Sequence, residues 1–220
     1  MKRISVLFFS LFILSSYSWS QEADSIVAGG VVGIGIEISG PIIYASDSSV
    51  LNLEGYISYR LNQKYYVIVE PGIATYSYSQ YNYDYSSGGF FIRAGFDMNL
   101  LKPKVKPGNH FAGLGVRYGL SLFNQETPWA TSTNYWGSYD FSIEKRFVHA
   151  HFIEISGGVK AEIFRNILIG WSARARLLLY QSAGKANKPV YIPGMGETGR
   201  GLKPSFSYHI IWLIPLKKGL

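Results

Sequence analysis

Within the stretch ILIGWSARARLLLY, residues 167–180, the run from Ile169 to Leu177 alternates by residue type. Ile167, Ile169, Trp171, Ala173, Ala175, Leu177 and Leu179 fall on one side of a two-residue period; Gly170, Ser172, Arg174 and Arg176 fall on the other. A period of two is the signature of a β-strand, whose successive side chains point to opposite faces. The constraint lies in the pairing of faces: one is wholly apolar, and the other mixes small residues with full charges.

The same pattern recurs seven more times, in residues 31–39, 51–61, 65–78, 90–101, 111–123, 152–164 and 203–215. Pro71 marks an expected irregularity in the third strand, because proline has no N–H for the ladder. Eight strands emerge, many longer than the ~5–6 residues of a typical globular strand. They suit tilted bilayer-crossing strands of ~9–11 residues. Connections alternate in length. Residues 62–64 and 165–166 are short and 102–110 is intermediate, whereas 40–49, 77–88, 124–147 and 181–201 read as long loops. Residues 134–147 fit either a loop or an extension of the sixth strand. Short turns at one end and long loops at the other are the pattern of outer-membrane barrels.

Which face points inward is decided by glycine and by charge. Gly33, Gly35, Gly95, Gly113, Gly115, Gly119, Gly158 and Gly170 share the charged face. Glycine weakens a solvent-facing strand, but inside a narrow barrel it clears room for long side chains. Seven cations (Arg60, Arg93, Arg117, Lys160, Arg174, Arg176, Lys203) meet six carboxylates (Glu37, Glu54, Glu70, Asp97, Glu154, Glu162) on that face. A closed interior demands such balance, because an unpaired buried charge costs several kcal/mol. The expected fold is therefore an all-β, eight-stranded, antiparallel, up-and-down transmembrane barrel. Its polar interior is plugged by these residues together with His209. Eight strands leave an interior just wide enough for side chains to fill.

The N-terminus reads as a secretory signal. Lys2 and Arg3 precede the apolar run Val6–Leu14, and Ser18-Trp19-Ser20 supplies small residues at a cleavage site. Residues 1–20 are thus expected to be removed, leaving 21–220 as the barrel domain. Without Lys2 and Arg3, nineteen basic residues face fourteen acidic ones. Export makes nucleic acid an improbable partner for that charge and favours anionic lipid or glycan. The chain has no cysteine, which excludes disulfides and cysteine-based catalysis or zinc binding.

Few residues suggest chemistry. His209 lies among inward-facing serines, Ser205 and Ser207, and a hydroxyl beside an imidazole can form a nucleophile pair; a satisfied interior contact is the commoner outcome. His149 and His151 share a face and could chelate a metal, but a third ligand is missing. No catalytic, cofactor or metal residues are assigned. Tyr76, Tyr78, Tyr81, Tyr83 and Tyr85 form a Tyr/Ser-rich segment of a kind that makes adaptable binding surfaces. Lys185, Lys188 and Tyr191 belong to a Gly/Pro-rich loop that lacks the Gly-Lys-Ser/Thr ending of a phosphate loop. Together these eight residues are the candidate partner-binding surface.

The stretches IVEPGIA (68–74), IRAGFDMNLL (92–101), GLGVRYGLS (113–121) and YIPGMG (191–196), ahead of SYHIIWLIPL, resemble an uncharacterised family of small outer-membrane β-barrel proteins from Bacteroidota. The resemblance implies location in the outer membrane of a Gram-negative cell and carries no catalytic residues. The ending LIPLKKGL departs from the terminal aromatic usual in such barrels. The leading expectation is a non-enzymatic structural or interaction protein contacting outer-membrane lipid and other outer-membrane proteins. By analogy with the multi-subunit outer-membrane machines of these bacteria, it would be an accessory subunit of an assembly or secretion complex. The alternatives are a lipid- or lipopolysaccharide-modifying enzyme and a soluble periplasmic ligand-binding barrel.

Overall fold

The computed structural model describes residues 30–101, 109–184, 187–199 and 201–216. The expected signal segment, Lys185 and most of the 102–110 connection lie outside them. Eight long strands carry the fold: β1 (Val31–Glu37), β2 (Val50–Arg60), β3 (Tyr65–Gln80), β4 (Tyr83–Asn99), β5 (Phe111–Asn134), β6 (Gly137–Phe164), β7 (Ile167–Gln181) and β10 (Lys203–Pro215). A helix, α1 (Ser39–Ser46), follows β1, and a two-residue pair, β8 (Tyr191–Ile192) with β9 (Gly196–Glu197), precedes β10. Each long strand pairs antiparallel with its neighbours, and β1 pairs with both β2 and β10, so the sheet closes into a barrel.

Alternation decides which side chains enter the lumen. Glu154 and Ser156 are buried while Ile155 between them is 55% exposed. Arg174 is buried while Trp171, Leu177 and Leu179 face out. The outer wall carries Ile34, Ile57, Ile73, Phe96, Val116, Ile169 and Trp212, all exposed, and so runs round the whole ring. Among the described residues no helix is long and apolar enough to cross a membrane, a statement silent about strands.

The two rims differ. The terminal rim holds Val31, Pro215 and the tight turn at Arg165-Asn166, where Asn166 takes φ 66°; asparagine tolerates that left-handed conformation well. At the far rim the wall is uneven, because β1 has 7 residues and β6 has 28. Much of what reads as loop is strand. Residues 77–88 are a hairpin turning at Tyr81-Asn82, since β3 and β4 pair as far as Gln80↔Tyr83. Residues 124–147 are likewise mostly strand, with β5 and β6 paired up to Asn134↔Gly137. Two register shifts, at Gln125/Thr127 and Thr127/Ala130, change the phase of alternation there and erase the sequence period. Within 40–49, residues up to Ser46 belong to α1, whose N-terminal amides at Ser39 and Gly40 donate to the Glu37 carboxylate. Opposite Pro71, the β2–β3 ladder skips from Glu54↔Gly72 to Ile57↔Val69, the expected irregularity.

Candidate functional site

The lumen holds an ion network drawn from six strands. Arg93 of β4 pairs with Glu54, with Glu70 at 3.2 Å and with Glu154 at 2.9 Å. Arg117 of β5 reaches Asp97 at 3.0 Å, Glu70 at 3.3 Å and Glu154 at 3.6 Å. Arg174 of β7 donates to Glu54 at 2.9 Å and to Glu70 at 3.1 Å. Glu70, Arg93 and Glu154 are fully buried. The guanidinium fork presents several donors in one plane, so each arginine can bridge carboxylates from different strands. Removing one partner from such a buried set typically costs ~3–5 kcal/mol, because the other charges stay behind in low dielectric.

Two satellites extend the network. Toward the terminal rim, Lys160 donates to Asp97 at 3.0 Å and to the Tyr56 hydroxyl at 2.6 Å. Below it Arg60 donates to Asn109 at 2.8 Å, and Asn109 to Glu162 at 2.9 Å. Toward the far rim, Arg176 donates from Nε to Glu154 at 2.7 Å. Glu37 lies outside the arginine cluster as the cap of α1, and Lys203 sits opposite Arg176 in the β10–β7 register. Apolar collars that sequence reasoning did not single out bracket the charges. Val31, Ile68, Leu168, Ile211 and Leu213 pack at the terminal side. Phe123, Val148, Phe152, Ile192 and Met195 pack at the far side. The void beside Lys160 and Tyr56 measures about 20 Å3, room for about one water.

The histidines sit in different settings. His209 is buried against Tyr56, with ring centroids 5.3 Å apart, and its Nε2 lies 3.0 Å from Arg174 Nη2. Ser207 hydrogen-bonds Ser172 at 2.7 Å, and Ser205 Oγ has no partner. Sequence adjacency therefore does not become a Ser–His pair: Ser207 bonds Ser172, Ser205 Oγ is unpartnered, and His209 Nε2 faces Arg174. Glu54, Glu70 and His209 do converge closely enough to hold a cation. Arg174 already lies within 3.1 Å of Glu70 Oε1 and 3.0 Å of His209 Nε2, so a metal would meet a guanidinium at its own ligands. This donor set does not fit a metal. His149 and His151 face outward beside Tyr180, and Tyr118 shares a 2.6 Å hydrogen bond with His151 Nδ1.

The candidate partner-binding surface needs correction. Tyr76 and Tyr85 are buried strand residues, Tyr78 and Tyr83 are half-buried, and Tyr81 at the hairpin tip and Lys188 are exposed. Lys185 lies outside the described residues. Tyr191 is buried and stacks on Tyr76 with centroids 4.9 Å apart. Burial pushes its phenol up to about 12, so the hydroxyl stays protonated at ordinary pH. The segment Tyr191–Met195 dips into the far mouth and closes it. Arg93 donates to Gly194 O at 3.4 Å, Arg176 to Met195 O at 3.3 Å and Gln125 to Asn187 O at 3.0 Å. Gly194 makes this approach possible: its φ is 76°, and a Cβ there would run into the Phe91 ring. Besides Tyr81, the most exposed aromatic residues among those described lie at the β5–β6 tip, where Tyr135 is 92% and Trp136 89% exposed.

A family model described as Domain of unknown function (DUF6048) matches residues 1–219, and the chain belongs to that family. No curated protein and no solved structure matches it.

Proposed function

We propose that this member of the DUF6048 family spans a bacterial outer membrane as a closed, non-conducting barrel and acts as an interaction protein through its far rim. One observation carries the reading: an apolar outer wall surrounds fully buried ion pairs, the inverse of a water-soluble barrel. Outward residues Ile169 to Leu177 in β7, paired with Ile153 to Ala161 in β6, cover ~20 Å of height at ~3.3 Å per residue and ~40° tilt. That is close to the ~25 Å apolar band of outer-membrane barrels. The collars and the inserted Tyr191–Met195 segment argue against a solute path, and the setting of His209 argues against nucleophilic turnover. The β5–β6 hairpin, with Tyr135 and Trp136 at its tip, is the element best placed to meet a partner. Accessory membership of an outer-membrane complex follows from that surface by analogy only.

The test is fractionation followed by pull-down. The protein is expected to stay in the outer-membrane pellet through urea and carbonate washes and to migrate faster on gels unheated than boiled. Release by urea would instead support the soluble-barrel reading. In gentle detergent, a stoichiometric partner retained by wild type and lost from Tyr135→Ser/Trp136→Ser would support the interaction role. A partner held equally by both would move that role off the hairpin.

A further inference from the structure

Above the ion network, where the far wall is lowest, a cavity of about 150 Å3 opens between α1, β2, β7, β10 and the inserted segment. This is room for several waters, or for one small ion with part of its hydration. Its polar lining includes Asn52, Arg176, Ser205 and Ser207. Two atoms of that lining, Asn52 Oδ1 and Ser205 Oγ, are buried with no hydrogen-bond partner. Buried polar atoms are normally satisfied, so each orphan calls for an explanation.

The charge balance at this spot points to the missing partner. In the network, Arg93, Arg117, Lys160, Arg174 and Arg176 share Glu54, Glu70, Asp97 and Glu154, one carboxylate too few. Glu37 and Glu54 also line the cavity. The Glu37 oxygens are taken up by the amides of Ser39, Gly40 and Tyr208, and Glu54 by Arg93 and Arg174. Arg176 is the cation left short: the Glu154 oxygen it uses at 2.7 Å also serves Arg93 at 2.9 Å. Its Nη2 makes no hydrogen bond among the described residues, and Lys203 stands directly opposite it in the β-ladder. Like charges opposite one another on neighbouring strands repel.

We propose that this cavity binds a phosphate-type oxyanion, either free phosphate or the phosphate group of a lipid headgroup. Arg176, which lines the cavity, supplies the countercharge. Ser205 donates its hydroxyl and Asn52 its amide N–H, which a flip of the side chain presents to the cavity. A tetrahedral oxyanion accepts from several directions at once, and these three residues come from β7, β10 and β2. The inference rests on cavity and charge and is independent of the membrane reading.

The probe is inorganic phosphate, titrated by calorimetry into the barrel in a maltoside detergent, against chloride at matched ionic strength. Saturable one-to-one binding is expected for phosphate and not for chloride. Arg176→Gln should weaken it by about tenfold or more, as loss of a charge-assisted hydrogen bond does. Ser205→Val should weaken it as well, by filling the cavity while leaving the ion network whole. If Arg176→Gln fails to fold, Ser205→Val and Asn52→Leu decide alone. Repeating the titration in phosphatidylcholine nanodiscs with and without phosphatidic acid identifies the source: competition by phosphatidic acid assigns the site to a headgroup, and its absence to the free ion. No phosphate binding by wild type, or binding untouched by Ser205→Val and Asn52→Leu, would overturn the proposal.

Discussion

Replacing Ile155 by arginine separates the two environments in which this barrel can be imagined. Ile155 points outward from the middle of β6 and is 55% exposed, while its neighbour Glu154 is fully buried. If lipid surrounds the wall, an outward arginine at mid-depth costs ~2–4 kcal/mol, falling to ~0–1 near the interfaces. Ile163 lies on the same strand and face, eight residues nearer the terminal rim, and is 53% exposed. At ~3.3 Å per residue and ~40° tilt, that step displaces the side chain by ~20 Å along the barrel axis. The outward run Ile169–Leu177 of β7 pairs with Ile153–Ala161 of β6; half of a ~25 Å apolar band is about 12 Å, so Ile155 lies ~5 Å from the centre of that run and Ile163 ~15 Å from it, beyond the boundary. Ile155→Arg should therefore destabilise by ~2–4 kcal/mol and Ile163→Arg by less than ~1 kcal/mol. The assay is reversible guanidinium unfolding in phospholipid vesicles, followed by fluorescence of Trp171 and Trp212 on the outer wall. Two near-neutral substitutions would refute the membrane argument, since the solvated surface of a soluble barrel tolerates outward arginine. Equal large losses would refute the depth assignment.

Four other outcomes are expected. Glu154→Gln should cost ~3–5 kcal/mol in the same unfolding assay, because Arg93 and Arg176 lose their shared carboxylate oxygen while staying buried; a loss under ~1 kcal/mol would mean that water reaches the network. Gly194→Ala should free the Tyr191–Met195 segment, because of its positive φ and the Phe91 ring, and proteolysis between residues 187 and 199 should accelerate while the barrel stays intact. Planar-bilayer recordings of wild type should show no stable nanosiemens-scale steps, and a steady open channel would contradict the side-chain-filled lumen. Zinc or EDTA should leave the unfolding midpoint unchanged, because Arg174 already neutralises Glu54 and Glu70; a metal-dependent rise would restore the Glu54, Glu70 and His209 site.

How much of this was legible depended on whether the two-residue period survived. In β7 it runs unbroken from Ile167 to Leu177, so spacing puts Arg174 and Trp171 on opposite faces, and glycine and charge balance assign Arg174 to the inner one. In β5 and β6 beyond Gln125 the register shifts put successive side chains out of phase, and a paired hairpin looks like a polar loop. Tyr76 and Tyr85 were misread for a related reason: Ser77, Ser79 and Ser86 between the tyrosines suggest a wet loop, whereas they occupy the outward side of strands whose tyrosines turn inward. The inserted segment was harder still. Ile192 and Met195 sit in a Gly/Pro-rich stretch with no period, and only tertiary docking under Phe123 and Phe152 tells them from surface residues. Their apolarity among glycines was the one available signal. Ion pairing, too, was legible as balance but not as connection: charge count implies compensation, while the convergence of Arg93, Arg117 and Arg174 on Glu70 needs the closed ring.

That closure explains why the charges are there at all. A barrel filled with apolar side chains would be easier to bury, and buried ion pairs are often no more stabilising than well-packed hydrophobic groups. What the ions add, we infer, is register. Sliding β7 by one residue against β6 and β10 would turn Arg174 and Arg176 onto the outer wall and bring Trp171 and Leu177 into the lumen. In lipid each displaced arginine would cost ~2–4 kcal/mol at mid-depth. Glu54, Glu70 and Glu154 would at the same time lose partners they cannot replace inside. An apolar lumen offers no such penalty, because Leu and Ile are accepted on either side of a membrane strand. Ions drawn from β2 through β7 thus penalise a slip of any one of these strands, and the apolar wall alone cannot.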